Sequence, residues 1–198
     1  MKFGVHFGSR GVAGDPDTLK AIAQKAEELG YDHFGMSDHV VVATDVESAY
    51  PYSESGKFFA QDTGVSLEQV TALGFVAAAT DRIQLLTSVL VLPHRHPVLA
   101  AKMLSTVDVL SKGRLIAGVG VGWMAEEIAL LDGPSFESRG AAADEYIQAF
   151  RSLWTEDSPS FHGEHVRFDG LKFFPKSPQS PHPPLWVGGE AKPGRRRA

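Results

Sequence analysis

Apolar runs and amphipathic runs alternate along this chain. "KFGVHF" (Lys2–Phe7) is a short apolar run closed by a glycine-rich loop. "DPDTLKAIAQKAEELG" follows with Leu19, Ile22, Ala23, Ala26 and Leu29 on one helical face, Asp15 or Asp17 at its start and Gly30 at its stop. Tyr31–Ser37 predicts a second strand, and a long polar loop, roughly 42–65, comes after it. A helix over about 66–80 leads to "RIQLLTSVLVLP", a strand too apolar to keep one face wet. The helical stretch "HPVLAAKMLSTVDVLS" then leads to "GRLIAGVGVG". A further helix, "AADEYIQAFRSLWTE", precedes "SFHGEHVRFDGLKFFPKS", whose alternation about Gly163 and Gly170 predicts an antiparallel hairpin. After the proline-rich "PQSPHPP", "LWVGG" reads as a last short strand.

Strands that are apolar on both faces and alternate with helices predict a parallel sheet covered by helices. Pattern alone leaves two architectures open, an open doubly wound sheet and a (β/α) barrel. Both gather their chemistry at the C-terminal ends of the strands. The polar and glycine-rich residues found there are Ser9-Arg10, Asp38-His39, His94-Arg95-His96, Gly120–Gly122 and Gly188-Gly189.

Composition narrows the partners. With 198 residues, 43% hydrophobic and 22% charged, the chain can bury a core and is expected to form a single domain over 1–198. A net charge of −5 gives no electrostatic reason to expect nucleic acid or an anionic membrane. The basic stretch "KPGRRRA" reads as a solvated end. Without cysteine there is no disulfide, thiolate metal site or cysteine nucleophile. "MKFGVHFG" lacks the apolar stretch of a signal peptide and no run approaches membrane-spanning length, so a soluble, cytoplasmic protein is expected.

Each candidate residue has a bland reading beside a chemical one. His39 can transfer a proton with a pKa tuned by burial and carboxylates; alternatively it satisfies backbone groups while Asp38 caps a turn. Adjacent strand residues face opposite sides, so these two need not touch. "LPHRHP" lacks a third ligand at metal-binding spacing, so no metal is expected, and Arg95 is left as an anion contact or a solvated loop residue. "GVGVGW" has only part of a dinucleotide fingerprint, although its glycines let a flat ligand approach the backbone. The turn in "WVGGEAKPG" offers N–H groups to a phosphate. Trp123, Trp186 and Phe7 could flank a ring system or simply be core.

Taken together, "AEELGYDHFGMSDHVV", "TDRIQLLTSVLVLPHRHPVLAAKMLSTVDVLSKGRLIAGVGVGW", "DEYIQAFRSLWTE", "FHGEHVRFDG" and "PPLWVGG" resemble the luciferase-like monooxygenase family, in its deazaflavin (coenzyme F420) branch. The resemblance implies a TIM barrel with the coenzyme ring at the C-terminal mouth. It implies that Asp38 and His39 lie near that ring, with His39 assisting proton movement. It further implies a non-proline cis peptide at Ser88–Val89 behind the ring, Gly120, Gly122 and Trp123 lining the cofactor, and Gly188 and Gly189 cradling its phosphate. Some sugar-phosphate dehydrogenases of the branch carry a glutamate where Trp123 stands and a tryptophan where Ala43 stands, so their substrate is not carried over. A complete (β/α)8 barrel takes roughly 250 residues; about five barrel strands and a hairpin insertion can be counted here, and the C-terminal strands are expected to be missing.

The resemblance thus implies an F420-dependent oxidoreductase acting on a small organic substrate. Its alternatives are an FMN-dependent monooxygenase and a non-catalytic flavin-binding relative. Relatives pair through the helices after the second and third strands, so a homodimer is expected. The loop bearing Tyr50, Tyr52, Phe58 and Phe59 is expected to lid an apolar pocket.

Overall fold

The structure is a computed structural model and describes residues 1–9, 11–58, 65–189 and 192–197. Arg10 and Phe59, both named above, lie outside the described residues. Strand β1 (Gly4–Phe7) is followed by a 3-10 turn at Gly11–Gly14 and by helix α1 (Pro16–Glu28). Asp15 is the cap: its carboxylate accepts from the Thr18 N–H at 2.8 Å, and Pro16 occupies the first helical position, where no N–H is needed. Gly30, at φ 81°, turns the chain out of α1 toward β2 (His33–Met36). Helix α2 (Gln69–Ala79) leads to β3 (Gln84–Thr87) and the two-residue β4 (Leu90–Val91). Helix α3 (Pro97–Leu110), strand β5 (Leu115–Gly120), the short helix α4 (Ala125–Leu130) and helix α5 (Arg139–Thr155) come next. An antiparallel hairpin, β6 (Phe161–His162) with β7 (Arg167–Phe168), precedes β8 (Leu185–Val187) and α6 (Lys192–Arg197).

Sheet order settles the architecture. β1, β2, β3, β5 and β8 are neighbours in that order and all parallel. β3 and β4 both pair with β5, through Leu85↔Leu115 and Leu90↔Val119, so they are two parts of one barrel strand interrupted at Ser88–Val89. That peptide bond is cis, where the resemblance expects it. A doubly wound sheet reverses its strand order at a switch point; here spatial order follows chain order throughout. The fold is an arc of an incomplete (β/α)8 barrel.

Alternate strand residues divide the arc into two faces. Phe34, Met36, Leu85, Leu115 and Ala117 point outward and join Leu19, Leu73, Leu104, Phe150 and Trp154 of the helices in one core. Trp154 is buried with its indole N–H donating to the Ala101 carbonyl at 3.1 Å. The register puts Gly4, His33, Gly35, Gly118 and Trp186 on the inner face, away from that core. Among the described residues the outer edges of β1 and β8 have no strand partner, and Phe3 and Trp186 beside them are 58% and 45% exposed.

One sequence expectation is corrected. The basic stretch is not simply solvated: Arg197 is half-buried against α5, where it pairs with Asp144 and donates to the Gly140 carbonyl at 2.9 Å. For Trp186 and Phe7, the described contacts are with protein rings. Trp186 meets His33 edge-on at 5.3 Å and Phe7 stacks on Phe34 at 6.4 Å.

Candidate active site

At the C-terminal end of β2 the chain enters a cluster of buried charge. The Asp38 carboxylate accepts two hydrogen bonds from the Arg95 guanidinium, both 2.8 Å, and one from the Val91 N–H at 2.9 Å. Arg95 also donates to Glu68 at 2.6 Å, and the other oxygen of Glu68 caps α2 by accepting from the Thr71 N–H at 2.6 Å. Arg95 is therefore neither a solvated loop residue nor open to a ligand anion. Its two-pronged geometry suits a carboxylate, and it ties the end of β2 to the start of α2 and to the segment after β4.

His39 does not pair with Asp38. Its Nδ1 donates at 2.6 Å to Glu127, a residue 88 positions away in α4 that is wholly buried. The other Glu127 oxygen accepts from the Val40 and Val41 N–H groups at 2.7 and 3.1 Å. Burial alone would raise the Glu127 carboxyl, but the hydrogen bond from His39 and the neighbouring backbone N–H outweigh it and hold the group below its ordinary 4.5. Glu127 is thus an ionised acceptor, which fixes the imidazole with its Nδ1–H toward α4. His39 Nε2 has no hydrogen-bond partner among the described residues.

His94 stands between the two carboxylates, 3.9 Å from Asp38 and 3.7 Å from Glu127. Burial, reinforced by Arg95 and His39, pushes it below its ordinary 6.5 although both carboxylates pull the other way. Both shifts have the same sign for folding. The unfolded chain would protonate His94 from 6.5 and Glu127 from 4.5, before the folded one does. It binds more protons below those values, so stability is complete above 6.5 and lost as pH falls. Thermal melts at descending pH are expected to show the loss beginning near 6.5, and His94→Asn to flatten its upper part. A melting temperature unchanged between 6.5 and 4.5 would contradict this picture of the cluster.

A cavity of about 690 Å³ opens in front of these groups, and Asp38, His39, Ser88, Val89 and Trp123 all line it. Three rings form one wall: Tyr50 and Phe58 each lie 5.1 Å from Trp123 and 5.3 Å from each other. Phe58 also lies 4.9 Å from the His39 imidazole. Tyr50, Tyr52 and Phe58 of the loop after β2 line the pocket, together with acidic and histidine side chains.

Gly120, Gly188 and Gly189 belong instead to a second cavity, about 510 Å³, bordered by Arg139 and Arg197. Gly122 borders neither; its carbonyl accepts from Arg139 Nε at 3.3 Å. Val89 joins the two regions. A Cβ added at Gly120 would come within 2.5 Å of one Val89 methyl, and one at Gly188 within 2.8 Å of the other. Glycine at both positions lets Val89 seat between the strands β5 and β8. Among the described residues no group of three or more His, Asp and Glu side chains could hold a metal ion.

Comparison with known proteins agrees with this geometry. The family model described as luciferase-like monooxygenase matches residues 1–198. The chain belongs to the luciferase-like monooxygenase family. Curated relatives within it differ in coenzyme. An F420-dependent glucose-6-phosphate dehydrogenase of Amycolatopsis mediterranei is 33% identical over 177 residues, 88% of this chain and 48% of that protein. An FMNH2-dependent dimethylsulfone monooxygenase of Pseudomonas putida is 35% identical over 133 residues, 66% of this chain and 36% of that one. Among solved structures, the monooxygenase RslO1 of Streptomyces bottropensis superposes with a TM-score of 0.73 at 28% identity, over 93% of this chain and 52% of that one. The luciferase-like chain described here therefore spans about half the length or less of these relatives.

Sequence reasoning missed Glu127 and Glu68, the residues that engage His39 and Arg95. "AEEIALLD" does carry a local signal, two acids opening a short apolar stretch just after a glycine-rich strand end.

Proposed function

We propose that this chain carries the coenzyme face of an F420-dependent oxidoreductase, which moves a hydride between the deazaflavin and a small organic substrate. The observation that supports it is His39, an imidazole clamped through Nδ1 on buried Glu127 with its ring against the main cavity. Such a group can give or take one proton at Nε2 when its neighbour changes charge. Bound F420 would supply the hydride chemistry. Glu127 holds the imidazole in one orientation, Asp38 and Arg95 fix the strand end that carries it, and the aromatic wall stands beside it. Val89, seated between β5 and β8, would make a floor for a flat ring, and an F420-using relative is 33% identical over 88% of the chain.

Titration of the purified protein with F420 and with FMN tests the reading. Fluorescence change with F420 and none with FMN is expected; tighter binding of FMN would favour the monooxygenase reading, and binding of neither a non-catalytic relative. Gly120→Ala, which drives a methyl into Val89, is expected to weaken coenzyme binding about tenfold or more. Unaltered affinity in that variant would remove Val89 from the floor.

The same reading includes a homodimer. Helix α2, "QVTALGFVAAA", bears no charged residue, yet Thr71, Phe75 and Ala78 on its outer side are exposed, and Leu99 and Leu110 of α3 are exposed as well. A helix apolar all round belongs in a buried setting. Sedimentation is expected to give a dimer, and Phe75→Glu a monomer; a monomer in both would end the dimer proposal.

A further inference from the structure

Behind the clamped His39 stands a second imidazole that the oxidoreductase reading leaves without a role. His94 borders the main cavity, yet its side chain is only 2% exposed, and its Nδ1 has no hydrogen-bond partner among the described residues. Each ring nitrogen faces one of the site's carboxylates. Nδ1 lies 3.9 Å from Asp38 Oδ2, and Nε2 lies 3.7 Å from Glu127 Oε2. Both distances exceed a hydrogen bond. A neutral imidazole has one N–H, so whichever nitrogen carries it, the other turns a bare lone pair toward a carboxylate oxygen. Only the imidazolium offers an N–H to both.

The two carboxylates are not equally free to answer. Asp38 Oδ2 already accepts from the Val91 N–H at 2.9 Å and from Arg95 Nη1 at 2.8 Å. Glu127 Oε1 holds Val40 and Val41, while Oε2 accepts from His39 alone among the described residues. His94 itself ends the 3-10 turn Leu92–His94, next to Arg95, which Asp38 and Glu68 pin. The atom with room to move is therefore Glu127 Oε2. A charge-assisted bond closes to about 2.7–2.9 Å, so a protonated His94 would draw that oxygen roughly 1 Å toward itself.

We infer that His94 is a positioning residue for His39: the two imidazoles contend for Glu127 Oε2, and a proton on His94 slackens the clamp that holds His39 at the cavity. The inference rests on the oxidoreductase reading for what His39 does, and on the cluster alone for the contest. The groups acting on His94 are Glu127 in α4, Asp38 and His39 after β2, and Arg95 beside it. Burial holds the ring below its ordinary 6.5, Arg95 and His39 adding to the effect and both carboxylates opposing it. The clamp is thus complete above 6.5 and slackens as pH falls below it.

Proton NMR of the unliganded protein tests the contest without coenzyme or substrate. The His39 Nδ1–H, donated to a buried carboxylate, is expected as a downfield, slowly exchanging resonance from about pH 8 down to 6.5. As the His94 ring nitrogens titrate below that, its exchange with water is expected to quicken about fivefold or more. In His94→Asn and, separately, in His94→Gln, this quickening is expected to vanish over the same window, with thermal melts at each pH confining the comparison to folded protein. Should neither variant fold, the wild-type titration still decides. A His39 resonance indifferent to the titration of His94, a His94 that stays neutral wherever the protein is folded, a response that persists in both variants, or no protected Nδ1–H at any pH would each overturn the inference. The coenzyme titration keeps the two readings apart. F420 binding without the response at His39 leaves the oxidoreductase reading standing and this one fallen; the response without F420 binding does the reverse.

Discussion

Asp38→Ala is expected to cost about 3–5 kcal/mol of folding stability, because it removes the two-pronged carboxylate partner of a buried guanidinium. Arg95 would keep only Glu68, and the Val91 N–H would lose its acceptor. Total stability for a domain is typically about 5–15 kcal/mol, so this one truncation removes a large share of it. Asp38→Asn retains an oxygen acceptor for Val91 and is expected to lose less. Replacing Asp38 and Arg95 together with leucine and methionine is expected to recover much of the loss, since the buried pair is removed whole and Glu68, the partner left behind, is partly exposed. Urea melts of the three variants check the series. A loss in Asp38→Ala below about 1 kcal/mol, the worth of an exposed pair, would show that solvent reaches the cluster.

Turnover is where His39→Ala should tell most. If Nε2 moves the proton, the substitution is expected to lower kcat by about 10²–10⁴-fold while coenzyme affinity changes little. Glu127→Gln acts at one remove. It keeps a hydrogen-bond acceptor for His39 but deletes the negative charge beside the imidazole. The substitution is expected to lower kcat, less than His39→Ala does, with the thermal melt and coenzyme affinity little changed. A merely structural glutamate would lower stability and leave kcat where it was. Full turnover in His39→Ala would take the proton-transfer role away from this residue altogether.

The alternation of strands and helices was legible because parallel strands covered on both faces are continuously apolar, as in "RIQLLTSVLVLP". The hairpin was legible because glycines punctuate a two-residue alternation, and β6 and β7 lie on either side of Gly163. The barrel arc was not decided by pattern; it needed the strand order, a property of contacts distant in sequence. For the site, position at a strand end pointed to Asp38 and His39 but not to what holds them. Arg95 lies 57 residues from Asp38 and Glu127 lies 88 from His39, separations that no helical or strand period encodes. Helix α4 escaped notice because its six residues are too few to build a periodic face.

That short helix has a mechanical consequence. Two adjacent glutamates grip one loop at two places: Glu127 accepts from Val40 and Val41, and Glu126 accepts from Glu47 and Ser48. Ser48 returns a bond by accepting from the Ala125 N–H at 3.0 Å. The stretch from Val40 to Ser48 and helix α4 are therefore riveted into one plate, with Trp123 just ahead of the helix and Tyr50 just beyond the loop's second rivet. Opening the mouth by swinging the loop alone would strip four backbone amides from their carboxylates at once. The plate is expected to open as a unit, and in hydrogen exchange the amides of Val40, Val41, Glu47 and Ser48 should share one rate rather than fray from the loop's tip inward.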